Sequence, residues 1–378
     1  MYSAECLRHW LRPAGGGIYA VSTGAAAQKA LQRRIYGAAD DVQVMERWYA
    51  ALDRLSRARL VVLGVPSDVG AGFYRGASFG PQAIRQHLLD QGSWIYRDDR
   101  VVDLGDVRVV PQILHDEMLS PKQIADTRAA LYPDRLTDSS TEDWPVSPLS
   151  ITEATLDLVR QIAPTAIPLV LGGDHAIGWP VAAALARGRE SRLGILHFDA
   201  HTDMLATRLG VRYCFATWAF HANALIGGGQ RLAQVGIRIS SKTREHWEAM
   251  GVRQYWMREV WTRPIAEIAA EIIANFRASG VEGLYISNDI DGTDPLWAGA
   301  TGTPEAGGLS PDMVIELIHT VGGAFPVWGT DLVEVAPPLG PRDPVEPGRT
   351  LDTAALYLEA QAEVALALRQ AVHPGADQ

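Results

Sequence analysis

Cysteine is nearly absent: Cys6 and Cys214 are the two in 378 residues. A disulfide framework or a thiolate metal cage needs more sulfur than that, and both thiols read as incidental groups in a reducing compartment. No apolar run approaches the ~20 residues that span a bilayer. The N-terminus carries Glu5, Arg8, His9 and Arg12 before the Gly15-Gly16-Gly17 turn, with no continuous apolar stretch of the kind a secretory signal needs. Nor is there an excess of positive charge. Lys and Arg number 34 against 44 Asp and Glu, a formal charge of −10, so the basic footprint of a nucleic-acid binder is missing. No internal repeat is visible. These absences point to a cytoplasmic protein with neither nucleic acid nor membrane as partner, and to a field compatible with a cationic small molecule.

With 47% hydrophobic and 21% charged residues, the chain is an ordinary globular one, long enough to bury a sizeable core. Residues 1–55 are rich in Ala, Gly and Arg and read as an N-terminal extension with one helix around Asp41–Leu55. From residue 56 to 378 a rhythm sets in. Short apolar runs lie at Leu60–Val65, Val101–Leu104, Pro168–Leu171, Leu193–Phe198, Leu232–Ile237, Gly283–Ser287 and Val327–Val333. Between them, Pro81–Leu89, Ser150–Ile162, Ala176–Arg187, Arg263–Ala278 and Ser310–Val321 suit helices, and Thr350–Val372 suits a last one. Runs buried on both faces, alternating with helices, predict one α/β domain: a mostly parallel sheet covered by helices on both sides, three layers in all. The polar stretch from about Pro111 to Pro148 reads as a surface excursion.

Three motifs directly follow predicted strands: Gly172-Gly173-Asp174-His175, Asp199-Ala200-His201-Thr202-Asp203, and Asp289-Ile290-Asp291-Gly292-Thr293-Asp294-Pro295. In open parallel sheets ligands bind beyond the carboxyl ends of the strands, so the three should converge. Residues two apart share a side in extended backbone. That places Asp199, His201 and Asp203 in a row and Asp289 with Asp291 as a facing pair, joined by His175. Four carboxylates in one crevice repel each other, and divalent cations remove the conflict. Six ligands around one ion would leave no room for water. Bridging carboxylates let the same six hold two ions and keep an open position, so a binuclear hydrolytic centre is the better reading. His9, His87, His115, His246, His319 and His373 lack partners in sequence, and His197, inside a strand, reads as structural.

These motifs, with Ser287-Asn288 preceding the third, resemble the signature of the ureohydrolase family, which comprises arginases, agmatinases, guanidinobutyrases and guanidinases. The resemblance runs from about Leu60 to Pro338. It implies a helix-sandwiched α/β sheet and hydrolysis of guanidinium C–N bonds at two metals. His175 would bind one metal, His201 and Asp291 the other, with Asp199 and Asp289 bridging. Asp203 would bind the first metal and hydrogen-bond the hydroxide. Glu334, in Thr330-Asp331-Leu332-Val333-Glu334-Val335-Ala336-Pro337, matches the carboxylate that holds the guanidinium, and His221 falls near the family's proton-shuttling histidine. Around His221, the segment Tyr213–Asn223 departs from arginases and agmatinases. Its Phe215, Trp218 and Phe220 suggest an aromatic wall for a small planar cation, with Trp218 as a substrate contact.

That segment, the N-terminal extension and His115–Leu119 are similar to the guanidinase branch. The resemblance therefore implies hydrolysis of free guanidine to urea and ammonia, with nickel favoured and manganese the alternative, in a homotrimer or homohexamer. Rival substrates are N-methylated guanidines, a biguanide, agmatine or 4-guanidinobutyrate. A rival of another kind is a non-catalytic subunit of a hetero-oligomer, which would have no use for six intact ligands.

Overall fold

Apolar runs punctuated by Gly and Pro become strands in the computed structural model, which describes residues 3–18, 22–135, 141–340, 346 and 348–371. The described residues form nine strands: β1 Leu11–Arg12, β2 Leu60–Val65, β3 Val101–Val107, β4 Ile167–Gly172, β5 Leu193–Phe198, β6 Leu232–Ile237, β7 Val252–Trp256, β8 Gly283–Asp289 and β9 Val327–Val333. They make one sheet in the order β1-β3-β2-β4-β9-β8-β5-β6-β7. Every pairing is parallel except that of β1 with β3.

Side chains alternate along each strand and feed two cores. Leu60 and Val62 enter one, with the helices Gly80–Asp90, Ile265–Ala278, Pro311–Gly322 and Gly348–Ala371. Val61, Leu63 and Val65 enter the other, with Pro148–Ile162 and Gly178–Ala186. This is the three-layer α/β/α arrangement read from the sequence. Helix starts follow local chemistry. Ser310 accepts a hydrogen bond from the Met313 N–H at 3.3 Å, and Pro311 occupies the first turn, where no N–H is needed. Val372, the expected end of the last helix, lies outside the described residues.

The segment read as an extension is tied to the body more closely than its composition suggests. Helix Glu5–Trp10 leads into β1, which caps the sheet edge by pairing with β3. The Gly15 and Gly17 amides donate to Asp106 at 2.8 and 3.3 Å, and Asp106 pairs with fully buried Arg85 at 2.5 Å. A two-residue strand has no periodicity to detect. Edge strand β7 also escapes detection, because Arg253 and Gln254 interrupt its apolar pattern. The Pro111–Pro148 excursion holds a helix at Pro121–Leu131, started by Ser120 and Gln123 in a reciprocal cap.

The order of the strands positions the site. The motif-bearing strands β4, β5 and β8 and the Glu334-bearing strand β9 are contiguous at the sheet centre, in the order β4-β9-β8-β5. Being parallel, they deliver their carboxyl ends to one place.

Candidate active site

Each ligand candidate sits where a strand stops. Asp289 is the last residue of β8, Asp199 follows β5, and His175 follows the turn after β4. Gly173 is required in that turn, since a Cβ there would lie 1.7 Å from the Ser67 carbonyl oxygen. The six residues come together. His175 Nδ1 lies 3.0 Å from Asp289 and 3.3 Å from both Asp199 and Asp203. His201 Nδ1 lies 3.1 Å from Asp291 and 3.4 Å from Asp199. Asp199 turns Oδ2 toward His175 and Oδ1 toward His201, the disposition of a carboxylate shared between two centres.

Asp203 and Glu334 both have positive φ, 51° and 62°. A non-glycine residue there costs about 1–2 kcal/mol and persists only where its surroundings impose it. Glu334 is buried, with Oε1 accepting the His175 backbone N–H at 3.0 Å. It thus stands beside the ligand cluster.

The electrostatics describe a site short of positive charge. Burial alone would keep His175 neutral, but the hydrogen bond to Asp199 and the charges of Asp203 and Asp199 push its pKa up to about 9. For His201 burial is likewise overridden, by Asp291 and Asp199, to about 12. Burial, then Asp199, raises the Asp203 carboxyl well above its ordinary range. Burial, then Asp291, does the same to Asp289, and burial, then Asp289, to Glu334. Two ligand-atom groups could each take a cation: His175, His197, Asp199 and Asp203, and Asp199, His201 and Asp291, with atoms in each group within 4.8 Å of one another. Imidazole nitrogens with carboxylate oxygens suit divalent first-row metals. The donor set fits two such ions.

His197 backs this set. Gln254 donates to the Gln234 carbonyl at 2.7 Å, so the Gln234 amide NH2 faces His197 Nδ1 at 3.0 Å. Nδ1 must accept, which leaves the Nε2 N–H to donate to Asp199 at 2.9 Å. A nitrogen that carries its proton does not bind metal, in keeping with the structural reading of His197. A parallel support stands behind His175, whose Nε2 meets Ser287 Oγ at 3.0 Å, while Ser287 and Tyr285 both donate to buried Asp331. Sequence reasoning assigned no role to Tyr285, in β8, or to Asp331, in β9.

Two expected roles are not what the structure shows. Trp218 does not face a substrate space: it is fully buried, with its indole N–H on Asp203 at 2.9 Å. The helix Trp218–Leu225 turns it inward, which sequence order alone does not reveal. His221 is not brought to the ligand cluster. Its Nε2 donates to the carbonyls of Ala206 and Arg212 at 3.0 and 3.1 Å, pinning the loop between them. Burial lowers its pKa.

From the Tyr213–Asn223 segment, Cys214 and Phe215 do border a cavity, of about 350 Å³, shared with Gly70, Leu114, Met118 and Arg208. Its Gly70 packs on the turn that carries His175, since a Cβ there would lie 2.7 Å from Ala176 Cβ and 2.9 Å from Asp174 Oδ1. Among the described residues lining it none is acidic, and the Arg208 guanidinium sits over the Phe215 ring at 5.2 Å. A larger cavity, of about 850 Å³, is lined by none of the ligands; Gly15, Gly17, Ser22 and Leu31 border it on one side and the helix Gly80–Asp90 on the other. No helix among the described residues is long and apolar enough to cross a membrane.

Comparison with known proteins agrees with this geometry. The arginase family model matches residues 58–363. Human mitochondrial guanidino acid hydrolase is 34% identical over 73% of this chain and 71% of its own length. Guanidinobutyrase of Pseudomonas aeruginosa is 30% identical over 76% and 81%. The crystal structure of a hypothetical agmatinase from Burkholderia thailandensis superposes with a TM-score of 0.63 at 25% identity, covering 84% of this chain and 88% of that one. By family model, relatives, fold and the convergence of its ligands, the chain belongs to the arginase family of metal-dependent hydrolases.

Proposed function

We propose that the chain hydrolyses free guanidine to urea and ammonia at a site for two divalent metal ions. The supporting observation is the convergence of six ligands and one further buried carboxylate, Glu334, at the ends of four adjacent strands. His175 and Asp203 would serve one ion, His201 and Asp291 the other, and Asp199 and Asp289 both. Bound there, the ions would neutralise the carboxylates and supply an activated water at neutral pH. Nickel or manganese fits the donors, and nickel is favoured by resemblance to the guanidinase branch. The same resemblance favours a homotrimer or homohexamer.

The chain's own residues do the rest. The two oxygens of Glu334 match the parallel N–H pair of a guanidinium, and a fixed bidentate pair presents the central carbon in one orientation. Burial makes an unpaired Glu334 anion costly, so the arriving cation restores its charge. Asp203 takes the proton released as oxygen adds to carbon and returns it to the departing nitrogen. Water plus guanidinium thus becomes urea plus ammonium.

The cavity next to the His175 turn supports the choice among guanidino compounds. An ammonium tail, as in agmatine, would meet Arg208 and no acid. Burying such a charge unpaired costs several kcal/mol, roughly a thousandfold in rate. The same Arg208 favours a second reading, a guanidino acid whose carboxylate it would pair, as the names of two relatives suggest. Urea release across guanidine, methylguanidine, 4-guanidinobutyrate, agmatine and arginine separates them. We expect the highest kcat/KM for guanidine and poor turnover of agmatine and arginine. A preference for 4-guanidinobutyrate would establish the second reading, and turnover of agmatine with guanidine inert would overturn both.

A further inference from the structure

We propose that Trp218 is a positioning residue: the helix it begins grips Asp203 at two points and aims its carboxylate at the metal site. The assignment rests on reading Asp203 as a metal ligand. Asp203 needs such a grip, because its backbone is held at φ 51°, where a side-chain-bearing residue does not rest unaided. The helix Trp218–Leu225 supplies both holds. Its Phe220 N–H, free in the first turn, donates to the Asp203 carbonyl at 3.2 Å. The Trp218 indole N–H donates to Asp203 Oδ2 at 2.9 Å.

The indole has no freedom to do otherwise. It packs over His175, with ring centroids 4.6 Å apart, and against His197 at 4.9 Å. On another side lies Gly178, where a Cβ would come within 2.5 Å of the indole Cδ2. The glycine three positions after His175 therefore makes room for this ring. A buried indole N–H has one proton to give and must find an acceptor. Its neutrality matters as well. A lysine or arginine in this place would hold Asp203 equally well but would repel the metal ions, whereas a neutral donor orients the carboxylate and leaves its charge available.

The test compares Trp218→Phe, which keeps an aromatic ring and loses the N–H, with Trp48→Phe. Trp48 is equally buried and donates to the Leu104 carbonyl at 2.9 Å, far from the site. Metal dissociation constants are measured by chelator competition, together with kcat and KM for guanidine. Trp218→Phe should weaken metal binding or lower kcat by about 10- to 100-fold with KM unchanged, while Trp48→Phe alters thermal stability alone. Gly178→Ala, which displaces the ring without removing its N–H, should act in the same direction as Trp218→Phe. If both tryptophan variants match the unaltered chain in metal affinity and kcat, or both weaken equally, the role of Trp218 is overturned. Fewer than two ions bound by the unaltered chain would instead overturn the proposed function.

Discussion

Glu334 and Asp203 show what a single residue must give up to be useful here. Each carries a carboxylate into a buried place on backbone that favours glycine, and each is fixed by a neighbour's N–H. For Glu334 that donor is the His175 backbone, at 3.0 Å. Glu334→Gln retains this acceptor and the side-chain shape but removes the charge that pairs with guanidinium. Its metal content should equal that of the unaltered chain while kcat/KM falls by about two orders of magnitude or more, in line with the loss of one partner of a buried charged pair. Near-normal turnover would show that the guanidinium is held elsewhere. The candidate ligands were legible because each motif follows a strand of a parallel sheet whose carboxyl ends converge. Alternation is not what gathers them, since Asp291 lies in the 3-10 turn Ile290–Gly292 and Asp203 has φ 51°. Trp218 and His221 were less legible: three positions along one helix separate burial beside Asp203 from hydrogen bonding to a loop. No composition signal says which way the first turn faces.

At the scale of elements, the runs Leu60–Val65, Leu193–Phe198, Leu232–Ile237 and Val327–Val333 form strands with the very ends read from sequence. Two-sided burial makes each mainly apolar, with His197, Gln234, Thr330 and Asp331 as buried polar exceptions. The edges were harder to see, because half-covered strands carry polar residues. β1 is held by tertiary contacts rather than by its own pattern, and these contacts run through Asp106. Asp106→Ala would leave Arg85, fully buried, with one carboxylate partner in place of two, and would free the Gly15 and Gly17 amides. Breaking a buried pair costs about 3–5 kcal/mol. Denaturant unfolding should show a loss of that order, with metal stoichiometry unaltered. A loss under about 1 kcal/mol, the scale of a surface ion pair, would mean that the N-terminal segment is held by apolar packing instead.

For the whole molecule, strand order converts four separated stretches of chain into one site. Nothing local in the sequence places β9 between β4 and β8, yet that insertion is what sets Glu334 beside His175. The three-layer class could be read from alternation. The order of strands could not, since it depends on which helices pack together across the sheet. The account stands on two ions sharing Asp199 and Asp289, and one titration tests that most directly. Metal-free chain is loaded stepwise with nickel or manganese while urea release from guanidine is followed. Activity should rise to a break at two equivalents per chain; full activity at one equivalent would contradict the binuclear site.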